Sequence, residues 1–163
     1  GDPDYFPLYV GNHILGGGGL VSRLFREVRE ERGLSYSVNS RFSPMAQDGP
    51  YTFSLQTRND QTGEALEVLR ATLKEFHDKG PTEEELVAAK KNITGGFPLR
   101  IDSNSKIVEY LAMIGFYDLP LDYLETFNER VMAVTHEQIR DAYRRRVPLA
   151  RMATVIVGGE ASP

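Results

Sequence analysis

The chain has no cysteine, which excludes disulfides, thiolate nucleophiles and Cys-ligated zinc. Histidine is nearly as scarce. His13, His77 and His136 stand far apart, and none pairs with another at metal-ligand spacing. Neither H-E-x-x-H nor H-x-x-E-H occurs, so this chain is expected to hold no metal of its own. G-x-S-x-G is missing too, and no serine stands on a strand-to-helix elbow. No apolar run approaches the length that crosses a bilayer. Basic excess is also lacking: 19 Lys and Arg against 23 Asp and Glu leave a net charge of −4, which argues against a nucleic-acid partner. The chain opens Gly1-Asp2-Pro3-Asp4 without an initiator Met and reads as a mature fragment or a cloned piece.

What is present is ordinary globular composition. Of 163 residues, 40% are hydrophobic and 26% charged, enough for one domain with a real core. Apolar spacing predicts a buried helix over residues 4–15, ended by the run Gly16 to Gly19. A second helix, capped by Ser22, runs to about Arg32 and stops at Gly33. The period then changes to two. Tyr36, Val38, Ser40 and Phe42, then Tyr51, Phe53, Leu55 and Thr57, flank a Gln47-Asp48-Gly49-Pro50 turn and predict an antiparallel hairpin.

Helical periodicity returns over residues 60–79, and again after the capping boxes Thr82-Glu83-Glu84-Glu85 and Thr135-His136-Glu137-Gln138. Two further helices lie between, one over residues 103–115 and a shorter one carrying Tyr123, Leu124, Phe127 and Val131. Met152 to Val157 is a continuous apolar run expected to form an interior strand. The pattern is α+β in two layers, with helices on one face of a small antiparallel sheet. So few strands for so many helices predict a first strand missing upstream of Gly1.

His77 reads as a surface imidazole near a helix C-terminus, His136 as part of a cap, and His13 as a packing or capping residue. The four glycines are not followed by Gly-Lys-Ser/Thr nor preceded by a strand, so close backbone passage explains them better than phosphate binding. The stretch from Arg26 to Tyr36 carries more. It passes from helix to strand through Gly33, which lets Arg29 and Tyr36 approach and offer fixed donors to a peptide carbonyl or an oxyanion. Spacing alone leaves a second reading open, with Arg29 paired to nearby carboxylates and Tyr36 a core strand residue with a wet hydroxyl.

The runs Asn12-His13-Ile14-Leu15-Gly16-Gly17-Gly18, Ser22-Arg23-Leu24-Phe25 and Arg29-Glu30-Glu31-Arg32-Gly33-Leu34-Ser35-Tyr36-Ser37 resemble the second half of the pitrilysin/insulinase zinc metallopeptidases. Gly80 to Leu86, Ala89-Lys90, the stretch from Gly95 to Asn104, Val134-Thr135 and the final apolar run agree, so the likeness covers essentially the whole chain. That superfamily includes the mitochondrial processing peptidases and bacterial two-subunit homologues. The resemblance implies a LuxS/MPP-like metallohydrolase half, one domain over residues 1–163 truncated at its N-terminal strand. It implies a bacterial protein, periplasmic or cytoplasmic, whose zinc is held by an N-terminal-type domain or subunit and not by this chain.

By the family's pattern Arg29 and Tyr36 hold an extended peptide and assist its hydrolysis, and Gly16, Gly17, Gly18 and Gly19 form the flexible segment used in closing the two halves. The expected partners are a peptide substrate and the zinc-bearing half, with a second copy through the exposed sheet edge. The other reading is a structural or peptide-holding homologue without turnover.

Overall fold

A computed structural model describes residues 2–45, 47 and 49–158. The Asp48 of the expected hairpin turn and the strand expected upstream of Gly1 lie outside the described residues. Helix α1 (Tyr5–Asn12) runs directly into a π-helical turn (His13–Gly17), so the first two glycines continue the helix rather than end it. A 3-10 turn (Gly19–Val21) follows, and then a helical stretch opening at Arg23 whose π-helical part is Phe25–Glu30. Strands β1 (Ser37–Phe42) and β2 (Tyr51–Gln56) pair antiparallel, Ser37 opposite Gln56 and Phe42 opposite Tyr51. The remainder is helical: α2 (Thr62–Lys79), α3 (Glu83–Gly96), α4 (Asn104–Phe116), α5 (Tyr123–Ala133) and α6 (His136–Arg146).

Local chemistry explains most of these boundaries. Both expected capping boxes form: Thr82 Oγ1 accepts the Glu85 amide at 3.1 Å, and Thr135 Oγ1 accepts the Gln138 amide at 3.2 Å. Pro98 falls inside a 3-10 turn (Phe97–Arg100) that closes α3. In the hairpin, Val38 and Ser40 are buried while Asn39 and Arg41 are exposed, so the period of two separates a core face from a wet one.

The core lies between that sheet face and the helices. Tyr143 of α6 is its centre, fully buried, edge-on to Phe76 of α2 at 4.9 Å between centroids. Its hydroxyl meets that of Tyr51 at 3.0 Å, which satisfies two buried polar groups at once. At the N-terminal end, Asp4 accepts from Arg145 at 2.5 Å and Arg146 at 2.8 Å, tying α1 to α6. Helix α4 is the outlier. It buries Ile114 but leaves Leu111 exposed.

The final strand does not form. Residues 152–158 take no regular secondary structure and pair with no strand among the described residues, and Val155 and Val157 are 84% and 92% exposed. The run lies across a groove of about 1340 Å³ from β2, lined on its apolar side by Phe53, Leu55, Leu66, Leu69 and Leu73. Its side-chain hydrogen bond to the body is from Arg70 to Thr154 Oγ1, at 2.9 Å. A strand needs a hydrogen-bonded neighbour, and the groove separates this run from the outer edge of β2. Apolar character alone did not make an interior strand.

Candidate functional site

The segment joining the second helical stretch to β1 is held by its own backbone. Gly33 takes φ +61°, a left-handed conformation that suits glycine, and its amide donates to Arg29 O at 3.0 Å. The next amide, Leu34, donates to Val28 O at 2.9 Å. Thr57 Oγ1 donates to Leu34 O at 2.5 Å, and Ser35 Oγ reaches Ser37 O at 2.6 Å and Gln56 O at 2.8 Å. Tyr36 N then donates to Gln56 O at 3.0 Å, one residue before β1 begins.

This anchoring brings Arg29 and Tyr36 together on the surface. The Arg29 guanidinium carbon lies 5.8 Å from the centroid of the Tyr36 ring and 4.8 Å from that of Phe25. Tyr36 is 80% exposed, so it is not the core strand residue that spacing left open. Its hydroxyl makes no hydrogen bond among the described residues. Nor does Arg29 pair with a carboxylate among them, although Glu27, Glu30 and Glu31 are close in sequence.

Neighbouring arginines account for two of those acids. Arg32 donates to Glu27 Oε2 at 3.0 Å and Glu31 Oε2 at 3.4 Å, and Arg26 lies 3.5 Å from Glu27. Arg23, almost buried, makes a two-pronged bond with Glu85, one arm of it 2.9 Å long, while its guanidinium carbon lies 5.0 Å from the Phe76 centroid. Burial pushes the Glu85 carboxyl up, but Arg23 and the Thr82 amide outweigh it and hold the group below the ordinary glutamate value. Arg23 thus fastens this helical stretch to the start of α3, leaving the exposed Arg29 with its donors uncommitted.

The glycine segment lies behind β1. A Cβ on Gly16 would stand 2.7 Å from the Ser40 backbone nitrogen, so Gly16 lets the π-helical turn touch the strand. Gly17 continues that turn, and Gly18 and Gly19 lead into the 3-10 turn. His13 sits under the same segment with Nε2 buried and without a hydrogen-bond partner among the described residues. Burial chiefly, with the Arg100 charge, lowers its pKa from 6.5.

Among the described residues, no three His, Asp or Glu side chains come together in a way that could hold a metal ion. No helix among them is long and apolar enough to cross a membrane. Sequence reasoning missed two features here. One is Phe25, four residues before Arg29 on one helix face, a spacing that an ordinary apolar core residue shares. The Arg23–Glu85 bond spans 62 residues and left no local signal.

Residues 1–93 match the family signature described as Peptidase M16 inactive domain, and the chain belongs to that family. Its fold is that of a crystal structure of a peptidase M16 inactive domain from Pseudomonas fluorescens, with TM-score 0.84 and 42% identity over 91% of this chain and 35% of that one. Among curated relatives, a protein of Helicobacter pylori named a non-peptidase homolog, YmxG, is 30% identical over 88% of this chain and 33% of its own length. A Mycobacterium leprae protein named an uncharacterized zinc protease is 31% identical over 92% of this chain and 34% of its own. The chain therefore spans about a third of the length of such relatives.

Proposed function

We propose that this domain is the substrate-clamping half of a bacterial zinc-dependent metalloendopeptidase. In this reading Arg29 and Tyr36 grip an extended peptide while another half, in the same polypeptide or a separate subunit, holds the zinc. One observation carries the reading. A guanidinium and a phenol stand together on an exposed rim, and neither is spent on a partner among the described residues.

The chemistry follows from their donors. Arg29 offers a planar array of N–H groups and Tyr36 a hydroxyl, so together they orient a peptide carbonyl and stabilise negative charge developing on its oxygen. Holding the peptide rigidly also removes part of the entropic barrier to attack. The glycine segment Gly16 to Gly19, packed behind β1, belongs to the same machinery as the region that gives when the halves close.

Arg29→Ala and Tyr36→Phe, each in the complete two-half protein, should lower kcat/KM for an extended peptide by tenfold or more, on the order of one lost charge-assisted contact. Melting temperature and zinc content should stay at the parental values. Unchanged cleavage in both variants removes the clamping role.

The name of the Helicobacter relative favours a second reading: a structural or peptide-holding homologue without turnover. The same assay separates the two, since that reading expects the assembly to bind the peptide and never cleave it.

A further inference from the structure

We propose that Phe25 is a positioning residue for Arg29, using its ring to fix the plane and direction of the guanidinium. The proposal rests on the reading of Arg29 as a substrate-holding group.

The geometry places one guanidinium against two rings. Phe25 and Arg29 are four residues apart on one helical stretch and therefore share a face. The guanidinium carbon is 4.8 Å from the Phe25 centroid, nearer than the 5.8 Å to Tyr36, so Phe25 is the closer support. Phe25 is only half-buried and lies outside the main apolar cluster that takes in the other half-buried phenylalanines, Phe6, Phe42 and Phe53. Core packing therefore does not account for the ring.

The way Arg29 is held also differs from its neighbours. Carboxylates orient Arg23, Arg26 and Arg32, and each such bond uses up N–H donors. An aromatic ring attracts the face of a guanidinium and leaves its N–H edge open. A site that must present an arginine to a peptide carbonyl needs that second kind of support. Leucine at position 25 would keep the apolar bulk and lose the quadrupole.

The test is a double-mutant cycle in the complete two-half protein, read as kcat/KM for an extended peptide, or as its dissociation constant if the assembly binds without turnover. Phe25→Leu should weaken the readout about two- to five-fold, the factor equivalent to an exposed cation–π contact. Phe25→Tyr should restore it, and in an Arg29→Ala background Phe25→Leu should add nothing. Phe25→Met replaces the leucine variant if that protein melts below the parent.

Equal losses from Phe25→Leu with and without Arg29 would show that Phe25 acts independently, and the inference falls. It falls likewise if Arg29→Ala is damaging while Phe25→Leu is harmless. If Arg29→Ala itself has no effect, Arg29 has no part in clamping and this inference falls with that part of the reading.

Discussion

Two stretches of this domain contrast sharply. The loop from Gly33 to Tyr36 is short and lies between two regular elements, yet the hydrogen bonds of Gly33, Leu34, Ser35, Tyr36 and Thr57 tie it to the helix before it and to the end of β2. The run Met152 to Val157 is apolar and of strong strand propensity, yet pairs with nothing among the described residues. Order came from closing backbone hydrogen bonds, not from hydrophobicity. A loop can close them locally, whereas a strand must be given a neighbour.

The strongest way to break the contrast is beneath the ordered region. Arg23→Met would leave the Glu85 carboxylate half-buried without its partner, and destabilisation of about 3 kcal/mol is expected. Urea titration measures it, with Arg29→Ala as the control, since removing an exposed arginine should stay within about 0.5 kcal/mol. Equal losses would mean that the Arg23–Glu85 bond does not support the rim.

A smaller effect should come from pH. Burial and the Arg100 charge hold the folded His13 below 6.5, so between 6.5 and that lowered value the unfolded chain binds a proton that the folded one does not. Stability should therefore fall as pH drops below 6.5, and His13→Gln should flatten that part of the profile. A parental urea midpoint constant from pH 7.5 to 5.5 would contradict the assignment.

The smallest effect should be at the unpaired run. Val155→Lys with Val157→Lys should change stability by no more than about 0.5 kcal/mol, because both side chains are already in water. The same pair should abolish any concentration-dependent association of the parent in sedimentation, since charge on an exposed edge blocks strand pairing. A marked fall in stability would show that these valines already pack in solution.

Much of this was legible in the residues. The two Thr capping boxes, the alternation of β1 and β2 and the stop at Gly33 each depend on neighbours within a few positions. The approach of Arg29 to Tyr36 was readable as well, because only a glycine turn separates helix from strand. The role of Phe25 was not, since an apolar residue at helical spacing is indistinguishable from core until its burial is known.

Element identities, caps and turn positions were thus set within the chain, because short-range sterics and hydrogen bonding act over one or two turns. Which arginine became buried and which stayed open was settled across 62 residues, when Glu85 of α3 met Arg23 and not Arg29. The fate of the last apolar run was likewise a matter of assembly. Its backbone donors and acceptors could become a strand only with another edge at hydrogen-bonding distance, and the groove keeps the outer edge of β2 away from it.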